Sequence, residues 1–268
     1  MKVNQSSLNL SQLIPSLRKI AKTAADAILE VYRQEERFQN VQRKDDNSPL
    51  TAADLASNRI ICEGLKALPV SYPIISEENK TLPYEERSKW TRCWLVDPLD
   101  GTKEFLKRNG EFTINIALVE NGRPILGLIH IPVSGECWWA VKGEGAYKHD
   151  GKMQQLVAAA RFCRTDAGLN IVCSRSHFTG ETQKFIEQFK DPNLVSRGSA
   201  LKFLLIANGD AHVYPRIAPT MEWDTAAAQI IVEEAGGKLV RFDDGKPMVY
   251  NKDDLLNPSF VAWGDERC

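Results

Sequence analysis

The sequence has no apolar run approaching the ~18 residues a membrane-spanning helix needs. Its first twenty residues are polar, are interrupted by Pro15, and hold no continuous apolar segment of the secretory kind. The expectation is a cytoplasmic chain without a membrane span, a reading compatible with peripheral attachment to the cytoplasmic face of the inner membrane. Charge of one sign is also missing: the net charge is −1, with 26% of residues charged. That removes a global basic field for a nucleic-acid polymer and leaves anion recognition to local clusters. The six cysteines (Cys62, Cys93, Cys137, Cys163, Cys173 and Cys268) are scattered without CxxC or finger spacing. Reduced thiols are therefore expected. No internal repeat or low-complexity tract occurs. With 268 residues the chain can bury a sizeable core, as one large domain or two tightly packed ones.

What is present gathers around Trp94-Leu95-Val96-Asp97-Pro98-Leu99-Asp100-Gly101-Thr102-Lys103-Glu104-Phe105, where an apolar run delivers two carboxylates, a glycine and a hydroxyl. Trp94 to Val96 reads as a buried strand end, Pro98 blocks continued pairing, and Gly101 permits a tight backbone before a short helix opening near Thr102. Like charges on one rigid turn stay ionised only if cations sit between them. Oxygen ligands without nearby Cys or His favour Mg²⁺ or Mn²⁺ over zinc. A solvated turn with an N-cap aspartate uses the same residue types, but the apolar strand before it and Gly-Thr after it favour a site.

Along the chain, Leu13, Leu17, Ile20, Ala21, Ala24, Ala27, Ile28 and Val31 predict an amphipathic helix from Leu10 to about Arg33. The polar segment from Gln34 to Pro49 reads as a loop and a mobile flap. Thr51-Ala52-Ala53-Asp54 opens a second helix to about Leu68, with Leu55, Ile60, Ile61 and Leu65 expected on its buried side. Asp54, in its first turn, suits the helix dipole whether or not it is functional. Val70 to Ile75 reads as a strand ending in Ser76-Glu77-Glu78, and Asn79 to Arg92 as an exposed linker. Phe112 to Val119 and Ile125 to Pro132 flank an Asn121-Gly122 hairpin turn, and further strands continue to about Gly151. From about Arg161, strands alternate with helices in an α/β pattern. Helices are expected from Thr179 to Phe189, from Ala200 to Asn208, and from Trp223 through Glu234, with a strand over Ala211 to Tyr214. Asp224 then falls at a helix start. Trp138, Trp139 and Trp263 are expected in packing, and His130, His149 and His212 in structural or surface roles.

Thr-Ala-Ala-Asp, Ser-Glu-Glu, Asp-Pro-Leu-Asp-Gly-Thr and Trp-Asp-Thr-Ala-Ala with Glu-Ala-Gly-Gly occur in this order over nearly the whole chain. Together they resemble the Mg²⁺-dependent, lithium-sensitive inositol monophosphatase superfamily, and within it the bisphosphate nucleotidases. The stretch Lys103 to Thr113 resembles the nucleotidase wording, whereas inositol phosphatases usually place Asn-Phe after Gly-Thr-x. Inositol phosphatases also carry an acid seven residues before the last Asp, where this chain has Ile217. Gly198-Ser199-x-x-Lys202 and Tyr214-Pro215-Arg216 resemble nucleotidase substrate-binding segments.

The resemblance implies a layered α-β-α-β-α sandwich of the inositol monophosphatase-like sugar phosphatase type. An α+β half over residues 1–160 would carry most metal ligands, and an α/β half over 161–268 the last one and the substrate-binding residues. It implies that Glu77, with Glu78 as the alternative, Asp97 and the Leu99 carbonyl hold one Mg²⁺ and that Asp97, Asp100 and Asp224 hold a second. Asp54 stands near a looser third, and Mn²⁺ is a substitute. Thr102 and Asp54 would handle the proton of the attacking water, with Gly101 and Thr102 backbone groups on the phosphate. Glu77, Leu99, Asp100, Gly101, Thr102, His177, Gly198, Ser199, Lys202, Arg216 and Asp224 are the expected substrate contacts. The implied activity is hydrolysis of adenosine 3',5'-bisphosphate, or its sulfated relative, in sulfur assimilation by a monomer or homodimer. Hydrolysis of inositol monophosphate or of fructose 1,6-bisphosphate, and regulatory nucleotide binding without turnover, are the alternatives.

Overall fold

The computed structural model describes residues 9–33, 42–43, 49–50, 52–173 and 179–268. Most of the expected flap lies outside these residues; within it Gln42–Arg43 pairs antiparallel with Pro49–Leu50. A 3-10 turn, Leu10–Leu13, is capped by Asn9 and runs into helix α1, Ile14–Arg33. Leu17, Ala21, Ala24, Ile28 and Val31, three or four apart, form its buried stripe. Helix α2 spans Ala52–Lys66, stopping short of Leu68. Its buried face is set by Ala53, Ser57, Ile61 and Leu65. Leu55 lies roughly 200° round the helix from Ala53 and is 50% exposed, contrary to expectation.

The first sheet contains β1 (Ile74–Ser76), β2 (Arg92–Asp100), β3 (Thr113–Glu120), β4 (Arg123–His130), β5 (Cys137–Val141), β6 (Ala146–His149) and β7 (Gln154–Val157), in that order. Only β1 and β2 run parallel; the other neighbours are antiparallel. β1 is shorter than the Val70–Ile75 run. The predicted hairpin turn joins β3 and β4. The linker before β2 is not simply exposed. It contains helix α3 (Tyr84–Arg87), and Arg87 is buried because its guanidinium donates to Leu82 O, Asn251 Oδ1, Lys252 O and Asp253 O.

Helix α4 (Thr102–Leu106) follows β2. The second sheet contains β8 (Asn170–Cys173), β9 (Asn193–Ser196), β10 (Val213–Arg216), β11 (Lys238–Arg241) and β12 (Phe260–Trp263), in the order β9-β8-β10-β12-β11. The alternating pattern holds, but β12 runs antiparallel to both its neighbours. Helices α5 (Gly180–Ile186), α6 (Leu201–Ala207) and α7 (Glu222–Glu234) complete the chain.

These elements stack in the expected layers. Trp94, Val96, Ile114 and Leu118 of the first sheet pack on α1 and α2. On its other face Cys93, Leu95, Ala117 and Val119 meet α6 and α7, which also contact Tyr214, Leu239, Phe260 and Ala262 of the second sheet. Phe185 and Ile186 of α5 cover the outer face, with Ile171, Val213 and Trp263. Flanked on two sides, α7 is buried almost all round. Trp138, Trp139 and Trp263 are packed as expected. Cysteine is a correction: Cys163 and Cys268 form a disulfide across a 105-residue separation, beside the parallel pair Arg161–Phe162 and Asp265–Glu266, while the other four are free and buried. Spacing in sequence gives no sign of a pair that the fold brings together. Among the described residues, no helix is long and apolar enough to cross a membrane.

Candidate active site

Alternation along β2 carries the argument from core to site. Cys93 and Leu95 face the middle helices, so Asp97 extends the same face beyond the core. Register then slips between Asp97, opposite Asn115, and Asp100, opposite Thr113. Pro98 has no N–H to donate, and Pro98-Leu99 stands opposite Ile114 alone, which makes a bulge. The turn is held from both sides: Ser57 Oγ donates to Pro98 O at 2.7 Å, and Leu99 N donates to Asp97 Oδ1 at 3.1 Å. Gly101, at φ 93°, then admits the chain to α4, which Thr102 opens.

Asp224 arrives from the opposite side, in the first turn of α7. One of its carboxylate oxygens, Oδ2, accepts from Met221 N at 2.8 Å as part of the helix cap. Asp97, Asp100 and Asp224 thereby offer carboxylate oxygens within 4.8 Å of one another. Burial first, then the charges of Glu77, Asp100, Asp224 and Asp54, push the Asp97 carboxyl well above its usual range. Asp224 is pushed up to about 8 by burial and Asp100, with the Met221 N–H opposing. Glu77, whose N–H donates to Val96 O at 3.2 Å, is the acid of the Glu77-Glu78 pair whose charge reaches both aspartates. Asp54 is 1% exposed in the first turn of α2.

Asp100, Asp224 and Gly101 also line a cleft of ≈ 130 Å³ together with Gly198, Ser199, Lys202 and Arg216. Lys202 Nζ donates to Ser199 O at 2.6 Å, and burial pushes its ammonium down to about 8, with Asp100 opposing and Arg216 adding. Arg216 donates to Pro219 O at 3.2 Å, but its buried Nε has no partner among the described residues. His177 lies outside the described residues. Ile217 is buried in the outer apolar cluster. Arg197, Glu104 and Thr220, not singled out from the sequence, also line the cleft. Glu111 and Thr113 hold its walls: Gly198 N donates to Glu111 Oε2 at 2.8 Å, and Thr113 Oγ1 lies 2.6 Å from Ser199 Oγ. Their only signal was position inside the Lys103 to Thr113 stretch.

The family model described as the inositol monophosphatase family matches residues 9–266. The chain belongs to the inositol monophosphatase family. Among its relatives, a 3'(2'),5'-bisphosphate nucleotidase CysQ of Shigella flexneri is 42% identical over 249 residues, covering 92% of this chain and 98% of that protein. The CysQ of Buchnera aphidicola subsp. Acyrthosiphon pisum is 41% identical over 255 residues, covering 94% and 93%. A crystal structure of CysQ from Bacteroides thetaiotaomicron, a bacterial member of the inositol monophosphatase family, superposes with a TM-score of 0.83 at 39% identity, covering 97% of this chain and 100% of that one. The layered architecture is thus that of the inositol monophosphatase family throughout.

Proposed function

We propose that this chain is a metal-dependent 3'(2'),5'-bisphosphate nucleotidase that converts adenosine 3',5'-bisphosphate to AMP and phosphate in sulfur assimilation, with the sulfated relative as a further substrate. The observation that carries this reading is one cleft lined by Asp100 and Asp224, which cluster with Asp97, and by Lys202 and Arg216, in a chain 42% identical to a protein of that name. The donor set fits a hard divalent cation: it is all oxygen, and a bound cation would relieve the mutual repulsion of its carboxylates. In this reading Glu77, Asp97 and the Leu99 carbonyl hold one Mg²⁺, and Asp97, Asp100 and Asp224 a second, with Asp54 near a looser third and Mn²⁺ as a substitute. Bound cations supply neutralisation of phosphoryl oxygens and orientation of the attacking water.

The remaining work falls to the chain. Thr102 Oγ1 takes a proton from the attacking water as it passes its own to the Asp54 carboxylate. The new P–O bond forms to that water oxygen as the bond to the ribose oxygen breaks, and solvent protonates the departing ribose alkoxide to a hydroxyl. Backbone N–H groups of Gly101 and Thr102 orient the phosphate. The phosphate that is not cleaved is a second dianion, and Lys202 with Arg216 offer it separate cations, Arg216 through the Nε that has no partner among the described residues. Gly198 and Ser199 line the wall beside it.

The test is phosphate release from adenosine 3',5'-bisphosphate, inositol 1-phosphate and fructose 1,6-bisphosphate, with Mg²⁺ and with chelator. The expected result is metal-dependent release with preference for the nucleotide, and a Lys202→Met variant whose KM rises about tenfold for the bisphosphate, the loss of roughly one charge-assisted contact, but not for a monophosphate. Preference for a sugar phosphate would overturn the substrate, and release that survives chelation would overturn the metal.

A further inference from the structure

The segment Arg197–Ser199 crosses from the second sheet onto the wall formed by Glu104 and Glu111. Gly198 is gripped there: its N–H donates to Glu111 Oε2, and a Cβ at this position would lie 2.5 Å from Glu104 Cγ. The next residue, Ser199, is held at φ 51°, a left-handed conformation that non-glycine residues adopt at a cost. That conformation turns its side chain back toward the first sheet. Ser199 Oγ donates to Asp100 Oδ2 at 2.6 Å and lies 2.6 Å from Thr113 Oγ1, which lies 2.9 Å from Asn115 Oδ1. Thr113 and Asn115 are 0% and 1% exposed, so water does not compete for the contact between them, while Ser199 and Asp100 meet at the edge of the cleft.

We propose that Asn115, Thr113 and Ser199 form a relay of donors that aims the Asp100 carboxylate, making Ser199 a positioning residue for the metal site. The proposal rests on the metal-dependent reading above. Its direction follows from counting protons. An ionised carboxylate only accepts, so the single Ser199 proton goes to Asp100. The Ser199–Thr113 contact then uses the Thr113 proton, and the Thr113–Asn115 contact is donated by the amide. A half-turn of that amide brings Nδ2, which has no partner among the described residues, onto Thr113 Oγ1. Three donors in series converge on one acid, and the Thr113 and Asn115 part of the chain is buried, where such links are strongest. The relay also joins the two sheets. Thr113 is the cross-strand partner of Asp100, while Ser199 comes from the segment leading into α6. The Ser199 hydroxyl, expected from the sequence to contact substrate, is already committed to Asp100.

The test uses the full chain stripped by chelator and titrated with Mn²⁺ by calorimetry, with the metal-induced rise in melting temperature as a second readout. Thr113→Val removes the hydroxyl at constant shape. Ser199→Gly removes the other one and suits the backbone at φ 51°. Both should weaken Mn²⁺ binding by about ten- to a hundredfold, as expected for lost hydrogen bonds to a charged group. At saturating metal the nucleotide KM of Thr113→Val should be unchanged, and Thr113→Ser should restore wild-type metal binding. Wild-type metal affinity in both Thr113→Val and Ser199→Gly overturns the relay, as does a raised KM at unchanged metal affinity, which would return Ser199 to the substrate. Absence of Mn²⁺ binding to the wild type would instead remove the metal-dependent reading itself.

Discussion

Asp97 is 1% exposed and faces the charges of Glu77, Asp100, Asp224 and Asp54. Without cations this arrangement works against folding, and the sign follows from linkage. The folded-state values of Asp97 and Asp224 are raised, so the native chain holds protons that the unfolded chain has released. Their stability contribution is full below the unfolded value of 3.8 and is lost as pH rises through the folded value, about 8 for Asp224. Asp97→Asn removes one such charge and keeps the acceptor for Leu99 N. In chelator, its melting temperature should exceed that of the wild type by an amount that grows across this window, reaching the order of 5 °C. Metal-dependent phosphate release should be lost. Calorimetry in chelator at several pH values checks this, and a difference that does not change with pH contradicts the assignment.

Helix α7 is the element that delivers Asp224, and its first turn is anchored from outside the cleft. Glu222, 0% exposed, accepts from the backbone N–H groups of Asn251 and Lys252 and from Lys252 Nζ. Asn251 and Lys252 are in turn held by the buried Arg87 guanidinium. Asn257 Nδ2 donates to Met221 O and Thr225 Oγ1, closing the other side. Arg87→Ala removes a buried guanidinium and the four hydrogen bonds it donates and should cost ~3 kcal/mol, or about 10 °C in melting temperature. Lys22→Ala is the contrast. Its pair with Asp26 is 69% and 61% exposed, and its loss should stay within ~0.5 kcal/mol. Denaturant titration of the two variants measures both; equal effects would contradict the anchoring of α7.

In the whole molecule, the cleft lies where the first sheet, the α6–α7 layer and the second sheet meet, so each supplies part of it. The Cys163–Cys268 disulfide ties the last residue to the far side of the second sheet, and neither cysteine lines the cleft. Denatured without reductant, the chain should expose four reactive thiols; with reductant it should expose six. Closing so long a loop contributes ~2–4 kcal/mol, so reduction should lower the melting temperature by about 5–10 °C while metal-dependent phosphate release persists. Six reactive thiols without reductant would remove the bond.

Local sequence determined much of this protein. The period of Leu13 to Val31, the Asn121-Gly122 hairpin, the strand-to-turn motif at Asp97 and the helix start at Asp224 are set by neighbours within a few residues, and all were legible. The layered class and the family could be read from ordered motifs. Tertiary structure alone decided what depends on residues far apart in the chain. Burial of Arg87 needs partners at 251–253, exposure of Leu55 follows from which face of α2 meets the sheet, and the Cys163–Cys268 pair spans 105 residues. The task of Ser199 belongs with these, because a serine after a glycine signals only a loop until Asp100 and Thr113 are brought to its hydroxyl from the other sheet.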